Sequence, residues 1–281
     1  MHAPHVSRRA TAASPARRTI DQPSTAPAAA KPGGRFSALR RRWILLALLL
    51  SVLLGPVAPA ALARDEAPAA AIPVPNPWTR GLPEGWWLKR HEETLAAPGR
   101  GEAQIVFIGD SITDSWDVEA GGLKVWQREY VPMKPLNLGI VCDSTQHVLW
   151  RLDNGALDGL PNLKLAVIQI GTNNQGINRH EPEDIAKGIE AVCNKVKQKA
   201  PQAKILLLAI FPKGFGANKH DVANGLIARL ADDERIVFMD INDALIEGEG
   251  IADRVGHLNE KGFEIWADKI RPTIQKLMEQ E

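Results

Sequence analysis

This chain contains three polar side chains of the kinds that acyl transfer requires. Ser111 follows the apolar, β-branched run Ile105–Gly109, Asn173 follows a second apolar run, and His257 lies near the C-terminus. A serine hydroxyl becomes a nucleophile when a histidine takes its proton, and an asparagine amide can donate to the oxyanion that forms. These residue types predict a serine hydrolase site, provided that the fold brings the three side chains together.

The tripeptide Gly109-Asp110-Ser111 is weak evidence by itself, since it is also typical of an ordinary strand-to-helix turn in which serine caps the helix. We interpret Asp110 as a carboxylate that stabilises this turn and not as a second catalytic acid. His147 lies within an apolar helical pattern and is expected to be packed or hydrogen-bonded. His91 and His180 are expected at the surface.

The apolar pattern also predicts the elements that would position these residues. The predicted strands are 104–108, 135–138, 165–170, 204–210 and 236–239. The predicted helices are 86–95, 122–130, 145–152 with Thr145 as its N-cap, 182–199, 221–230 and 260–278.

This alternation of strands and helices predicts an α/β fold, a flavodoxin-like three-layer sandwich around a five-stranded parallel sheet. Ligands of such folds bind beyond the carboxyl ends of the strands. A strand order of 2-1-3 would therefore place the polar residues after the second and third strands beside Ser111.

Four stretches resemble, in order, the motifs of the SGNH (GDSL) hydrolases, in particular the platelet-activating-factor acetylhydrolase catalytic-subunit type. They are Phe107-Ile108-Gly109-Asp110-Ser111-Ile112-Thr113, Gln146-His147-Val148-Leu149-Trp150-Arg151-Leu152, Gly171-Thr172-Asn173-Asn174 and His257-Leu258-Asn259-Glu260-Lys261-Gly262-Phe263. The resemblance covers the chain from about Trp86 to the C-terminus. It implies the SGNH hydrolase fold and the hydrolysis of small-acyl esters, without a metal or another cofactor.

The resemblance also implies roles by position. Ser111 is then the nucleophile and the first donor of the oxyanion hole, His257 is the base, and Asn173 donates from its side chain. The remaining oxyanion-hole donor in the family is a backbone N–H at the position of Cys142, where the family has glycine. Cysteine keeps the N–H but lacks glycine's freedom at positive φ, so a strained or distorted hole is expected if the geometry requires that region.

A second departure concerns the acid that orients the histidine. The family's acid lies three residues before the histidine, where this chain has Arg254, and Asp253 lies one residue further back. We assign the orienting role to Asp253, for whose carboxylate Arg254 would compete. Four residues would place Asp253 and His257 on one face of a helix, but a loop guarantees no contact. Asp240 is the reserve candidate, and a Ser–His pair without an orienting acid is the alternative.

The first 63 residues are predicted to lie outside the folded domain. Residues 1–36 are rich in Ala, Pro, Ser and Arg, which is typical of disorder. A run of three arginines, the apolar core 43–54 and the small-residue site Ala61-Leu62-Ala63 predict an export signal to the periplasm or the cell exterior, with a retained membrane anchor as the alternative. Residues 64–77 are predicted to form an Ala/Pro-rich linker, and 78–281 the hydrolase domain.

Two functions remain open at this point. One is an exported serine esterase that removes acetyl or another short acyl group from a carbohydrate or a lipid. The other is a catalytically weak or inactive protein of the same fold that binds an acylated glycan. A nucleotide or flavin binder would need a Gly-rich phosphate loop, which the sequence lacks.

The composition also bears on binding partners and on the state of the cysteines. A net charge of +1 gives no indication of a nucleic-acid partner, and the sequence leaves the oligomeric state open. Cys142 and Cys193 are the two cysteines and are expected to be free thiols. Trp86, Trp87 and Trp116 are expected either to line the substrate site or to pack at the sheet edge.

Overall fold

The computed structural model describes residues 67–77, 81–212, 220–232 and 234–279. The compact unit that contains them begins at Arg64. The predicted disordered leader, its apolar core and the predicted cleavage site lie outside the described residues. Within those ranges, no helix is long and apolar enough to cross a membrane.

The described residues form a sheet of five parallel strands, as the sequence predicts. The strands are β1 (Ile105–Gly109), β2 (Pro135–Gly139), β3 (Leu165–Gln169), β4 (Lys204–Leu208) and β5 (Ile236–Met239), in the order β2-β1-β3-β4-β5. Gly109 pairs with Gly139 of β2 and with Gln169 of β3, so these three strands end level with one another. The segments that follow them therefore start at the same edge of the sheet.

Helices lie before, between and after the strands. They are α1 (Trp86–Leu95), α2 (Ser111–Asp114), α3 (Leu123–Val125, continued by a π turn over Trp126–Tyr130), α4 (Thr145–Asp153), α5 (Thr172–Gly176), α6 (Pro182–Lys199), α7 (Asp221–Ile227), α8 (Asn242–Glu247) and α9 (Glu260–Glu279). The bounds of α1 and α6 agree with the sequence prediction. Pro182 stands at the start of α6, where its fixed φ suits the first helical turn.

Each face of the sheet carries its own hydrophobic core, which makes the fold a three-layer sandwich. Along β1, Val106 and Ile108 face one core, whereas Ile105 and Phe107 face the other. The first core is closed by α4, α6 and α7, and the second by α2, α3, α8 and α9. Strands that are covered on both faces are almost continuously apolar, which is the pattern that β1 and β3 show.

Three helices that the sequence pattern does not predict follow the strands directly. The helices α2, α5 and α8 contain only 4, 5 and 6 residues, too few to show an apolar period. The predicted N-cap of α4 is also wrong by one residue, since Ser144 precedes the helix and its N–H donates to Nδ1 of His147 at 3.0 Å.

The expectation that His91 lies at the surface is wrong. His91 is only 3% exposed, and its Nε2 lies 3.0 Å from the carbonyl oxygen of Asn154. The reason is that α1 packs on α4 through aromatic rings, with 5.2 Å between the centroids of Trp87 and Trp150.

Residues 67–77, most of the predicted linker, pack against this domain. Ala70 is fully buried, and its carbonyl accepts a hydrogen bond from Oγ1 of Thr145 at 2.7 Å. Val74 N donates to the carbonyl of Gln146 at 3.2 Å, and Asn76 is 8% exposed. The described part of this segment is therefore held against α4 and is not a free connection.

Candidate active site

Ser111 lies at the carboxyl edge of the sheet because the chain turns sharply after β1. Gly109 leaves no space for a Cβ atom, which would collide with the side chain of Thr113 and the carbonyl of Gln169. The carboxylate of Asp110 accepts a hydrogen bond from Ile112 N at 3.0 Å and so caps α2. Ser111 is thereby held, half-buried, as the first residue of that helix.

Ser111, His257 and Asp253 form a continuous line of hydrogen bonds. Oγ of Ser111 lies 2.9 Å from Nε2 of His257, and Nδ1 of His257 lies 2.7 Å from Oδ2 of Asp253. This geometry assigns the tautomer, because Nδ1–H must donate to the carboxylate and Nε2 is then the acceptor for the serine hydroxyl. The imidazole can take the serine proton while the carboxylate stabilises the imidazolium.

Asp253 reaches His257 across a closed loop and not along a helix. An isolated antiparallel bridge between Ile251 and Leu258 joins the ends of the loop. Within it, Oδ1 of Asp253 accepts hydrogen bonds at 2.8, 3.0 and 3.1 Å from the backbone N–H groups of three successive residues, Val255, Gly256 and His257. This turn leaves Oδ2 directed at the imidazole, so the four-residue spacing still joins carboxylate and histidine.

The same hydrogen bonds set the ionisation of Asp253. Partial burial raises the pKa of its carboxyl, but hydrogen bonds from the side chain and backbone of His257 outweigh burial and hold the pKa below its usual value. Asp253 is therefore a carboxylate at neutral pH. Arg254, its predicted competitor, is exposed.

Asn173 enters the same edge from β3. The preceding Gly171 has φ +129°, a conformation that only glycine adopts readily, and this turns the chain into α5. Nδ2 of Asn173 donates to the carbonyl of Asp143 at 2.9 Å and lies 3.5 Å from Oδ2 of Asp110. The amide thus links the turn after β2 to the cap that holds Ser111.

Cys142 stands in the turn after β2 with φ +66°, in the left-handed region. A residue with a Cβ atom occupies that region at a cost of roughly 1–2 kcal/mol. This turn therefore needs the conformational freedom that glycine would supply, and cysteine holds it under strain. Cys142 and Cys193 are both buried and are not joined in a disulfide. Burial raises the pKa of the Cys193 thiol to about 12.

A buried polar network supports this turn, and the sequence analysis missed it. Asp143 is fully buried, and its carboxylate accepts hydrogen bonds from Nε1 of Trp87 at 2.6 Å and Nε of Arg151 at 2.8 Å. Nδ2 of Asn76 donates to the carbonyl of Cys142 at 3.1 Å and lies 3.4 Å from Oδ1 of Asp143. The available clue was Arg151, a charged residue between Leu149 and Leu152 in an apolar helical stretch.

Burial dominates the electrostatics of this network. It raises the pKa of Asp143 to about 6, although the charge of Arg151 opposes the shift. Burial also lowers the pKa of His147 to about 4, and the charge of Arg151 acts in the same direction. His147 is therefore a neutral hydrogen-bonded residue, which agrees with the sequence expectation.

Other candidates lie away from this line of hydrogen bonds. Asp240, the reserve acid, accepts a hydrogen bond at 2.9 Å from the N–H of Asn242, the first residue of α8. Trp116 is fully buried, with its ring centroid 4.7 Å from that of Trp266, and Trp87 is also buried, whereas Trp86 is half-buried. Across the described ranges, no three His, Cys, Asp or Glu residues are grouped as metal ligands.

Known proteins similar to this chain identify its family. Residues 107–265 match the model of the GDSL-like lipase/acylhydrolase family. The platelet-activating factor acetylhydrolase IB subunit alpha1 of Bos taurus is 35% identical over 191 residues, which cover 66% of this chain and 78% of that protein.

Two solved structures share the fold. A GDSL-like lipase from Bacteroides thetaiotaomicron superposes with a TM-score of 0.54 at 20% identity, covering 67% of this chain and 97% of that one. A carbohydrate esterase family 3 protein from Talaromyces cellulolyticus gives 0.51 at 16% identity, covering 63% and 98%. Because the family model matches more than half of this chain, the chain belongs to the GDSL-like lipase/acylhydrolase family and is a serine ester hydrolase.

Proposed function

We propose that this enzyme hydrolyses acetyl or other short-chain acyl esters of a carbohydrate or a lipid. Ser111 is the nucleophile, His257 the general base and Asp253 the orienting acid. The observation that carries these roles is the line of hydrogen bonds from Ser111 through His257 to Asp253, with lengths of 2.9 and 2.7 Å. These lengths lie within the range over which a base activates a nucleophile.

Acylation begins when Nε2 of His257 takes the proton of Ser111 Oγ as Oγ bonds to the ester carbonyl carbon. The electron pair of the carbonyl π bond moves to its oxygen, which becomes the oxyanion. When this intermediate collapses, the bond to the alcohol oxygen breaks and the imidazolium returns its proton to that oxygen. The alcohol leaves, and the acyl group remains on Ser111.

Deacylation repeats these steps with water as the nucleophile. His257 takes a proton from the water as its oxygen bonds to the acyl carbon, and then returns that proton to Oγ of Ser111. The carboxylic acid leaves and the serine hydroxyl is restored. Asp253 stabilises the imidazolium in both halves of the reaction, because its carboxylate accepts the Nδ1–H bond.

The backbone N–H groups of Ser111 and Cys142 and Nδ2 of Asn173 form the proposed oxyanion hole. In support, the three residues follow β1, β2 and β3, which end level at one edge of the sheet. One N–H of the Asn173 amide donates to the Asp143 carbonyl at 2.9 Å, whereas the contact with Asp110 at 3.5 Å is long for a hydrogen bond. The second N–H can therefore turn to a developing oxyanion.

The short acyl group is proposed from the relatives' chemistry. The similar Bos taurus protein is named as an acetylhydrolase of platelet-activating factor, and one fold neighbour is named as a carbohydrate esterase. Both names describe enzymes that act on esters of small acids or of sugars. They favour a small acyl group carried by a carbohydrate or a lipid. We propose no nucleic-acid partner.

Export is proposed from the N-terminal pattern. The basic run, the apolar core 43–54 and Ala61-Leu62-Ala63 predict cleavage after Ala63. Such cleavage would release a chain that starts at Arg64, where the compact unit also starts. We place the mature enzyme in the periplasm or outside the cell, with retention through residues 43–63 as the alternative.

The test of this function uses the purified full chain. The p-nitrophenyl esters of acetate, butyrate and octanoate share one leaving group, so their kcat/KM values isolate the acyl preference. Acetate release from acetylated xylan and from an acetylated glycerophospholipid then separates carbohydrate from lipid. A fluorophosphonate should add its mass to the peptide that contains Ser111, and the Ser111→Ala variant should neither react nor turn over.

We expect kcat/KM to fall as the acyl chain lengthens. A preference for octanoate would contradict the short-chain proposal and leave the esterase assignment intact. Absence of both labelling and turnover, together with binding of an acetylated glycan, would instead favour the weak or inactive glycan-binding alternative, which the strained Cys142 turn alone supports.

A further inference from the structure

We propose that Asn76 and Trp87 are positioning residues that hold the turn at Cys142 and Asp143 in its oxyanion-binding conformation. The segment that precedes the first strand would thereby take part in catalysis, although it lies outside the family's motifs. This inference rests on the proposed function, since it takes the N–H of Cys142 as an oxyanion-hole donor.

Backbone strain at Cys142 favours relaxation of this turn. Cys142 has φ +66°, and residues with a Cβ atom are disfavoured there by roughly 5- to 30-fold in population. Relaxation to negative φ would rotate the peptide between Val141 and Cys142. That peptide carries the N–H of Cys142, so relaxation would remove this donor from the site.

Asn76 holds the peptide on the other side of Cys142. Its Nδ2 donates to the carbonyl of Cys142 at 3.1 Å, and it lies 3.4 Å from the carboxylate of Asp143. Asn76 is 8% exposed, so water competes little for these contacts. Because the carbonyl of Cys142 is held, the backbone after the strained residue cannot rotate to compensate for a change of φ.

Trp87 and Arg151 hold the next side chain. The carboxylate of Asp143 accepts from Nε1 of Trp87 at 2.6 Å and from Nε of Arg151 at 2.8 Å. Arg151 in turn donates from Nη1 to the carbonyl of Leu138 at 2.8 Å, at the end of β2. The turn is therefore tied on one side to the sheet and on the other side to the N-terminal segment and α1.

The test compares Asn76→Ala and Trp87→Phe with two matched controls in the full chain. Trp150→Phe makes the same chemical change in the same aromatic cluster, since Trp150 packs on Trp87 at 5.2 Å, but it removes no donor to Asp143. Val74→Ala changes an exposed side chain two residues before Asn76. Initial rates on p-nitrophenyl acetate and the melting temperature are measured for each variant.

We expect Asn76→Ala and Trp87→Phe each to lower kcat about fivefold or more, with KM within twofold, because the donor acts on the transition state. Both controls should keep the kcat of the wild type. The loss of kcat caused by Asn76→Ala should be about twofold or less when the substitution is made in a Cys142→Gly background. Glycine populates positive φ about as readily as negative φ, so the turn there no longer needs to be held.

Loss of kcat with rescue by Cys142→Gly supports the inference, because a purely structural role would not be rescued by that change. Unchanged kcat in Asn76→Ala and Trp87→Phe would overturn it while the esterase assignment stands. If Asn76→Ala fails to fold, Trp87→Phe decides the question alone. If the wild-type chain neither turns over esters nor reacts with fluorophosphonate at Ser111, the proposed function fails, and this inference fails with it.

Discussion

At the scale of single residues, the site depends on a few hydrogen bonds with defined direction. The imidazole of His257 is oriented by one carboxylate oxygen of Asp253, and the other oxygen of that carboxylate is occupied by three backbone N–H groups. This division explains how a carboxylate four residues away can replace one three residues away. It also makes the contribution of Asp253 measurable by a change of one atom.

Asp253→Asn should lower kcat by more than tenfold, and by up to about 10⁴-fold if the enzyme behaves as serine proteases do. The asparagine side chain can still accept the backbone hydrogen bonds of the turn, but it carries no charge to stabilise the imidazolium. Asp240→Asn is the matched control, since the Asp240 carboxylate accepts a hydrogen bond from Asn242 N at the start of α8. Steady-state rates on p-nitrophenyl acetate check this, and a wild-type kcat in Asp253→Asn would remove Asp253 from the orienting role.

Asn173→Ala should lower kcat roughly 10²–10³-fold and change KM less, because its amide acts on the developing oxyanion. The amide also donates to the Asp143 carbonyl at 2.9 Å, so thermal unfolding must be recorded beside the kinetics. A variant that folds like the wild type and keeps its kcat would exclude Asn173 from the oxyanion hole.

His147 should make the fold sensitive to acid. Its pKa is lowered to about 4 by burial and by Arg151, whereas an unfolded histidine titrates near 6.5. Between these values the unfolded chain binds a proton that the folded chain does not, so stability falls as the pH drops from 6.5 to 4. The His147 contribution over that range is roughly 3 kcal/mol.

The variant His147→Gln isolates this effect. Glutamine can accept the hydrogen bond of Ser144 N at the same helix position, and it does not titrate. Urea unfolding of both proteins at pH 7, 6, 5 and 4.5 should show the wild type losing stability relative to the variant as the pH falls. Parallel curves would show that His147 titrates alike in the folded and unfolded chains.

At the scale of elements, the N-terminal segment 67–77 acts as part of the domain. It buries Ala70 completely, accepts a hydrogen bond from Thr145 and supplies Asn76 to the turn after β2. A strand-and-helix pattern cannot predict such a contribution, because the segment has no regular apolar period. The contribution of this segment to the stability of the domain can be measured by truncation.

A chain that starts at Ala67 should keep the stability of one that starts at Arg64, whereas a chain that starts at Pro77 should be less stable. Three hydrogen bonds are lost, those made by Ala70, Val74 and Asn76. At about 1 kcal/mol each, their loss should lower the melting temperature by roughly 6–12 °C. The shorter chain should also lose kcat, since it lacks Asn76. Equal melting temperatures and rates for all three chains would mean that 67–77 is a linker after all.

At the scale of the whole molecule, the parallel sheet brings distant parts of the sequence to one edge. Ser111 and His257 are 146 residues apart and lie within hydrogen-bond distance. The order β2-β1-β3 places the turns with Ser111, Cys142 and Asn173 side by side. The predicted leader also concerns the whole chain, since a functional export signal would place the enzyme outside the cytoplasm.

Expression of the full chain in a Gram-negative host should yield a periplasmic product whose first residue is Arg64. The expectation follows from the small residues at Ala61 and Ala63, which signal peptidases accept. Ala63→Asp should block processing and serves as the control. N-terminal sequencing checks the product, and an uncleaved chain that sediments with membranes would favour the anchor.

The sequence by itself determined the five-stranded parallel sheet, and it predicted three of the proposed site residues. The long apolar strands and the periodic helices α6 and α9 carry enough pattern to be located within one or two residues. Ser111, Asn173 and His257 follow from residue type and motif, because acyl transfer needs those groups at the strand ends.

Only the tertiary structure decided whether the two departures from the family pattern matter. The contact between Asp253 and His257 depends on a bridge between Ile251 and Leu258 and on a turn of three N–H groups, neither of which has a sequence period. The φ of Cys142, the burial of His91 and the network around Asp143 likewise arise from packing between segments far apart in the chain. Local pattern reports which face of an element is apolar, and it does not report which polar groups meet.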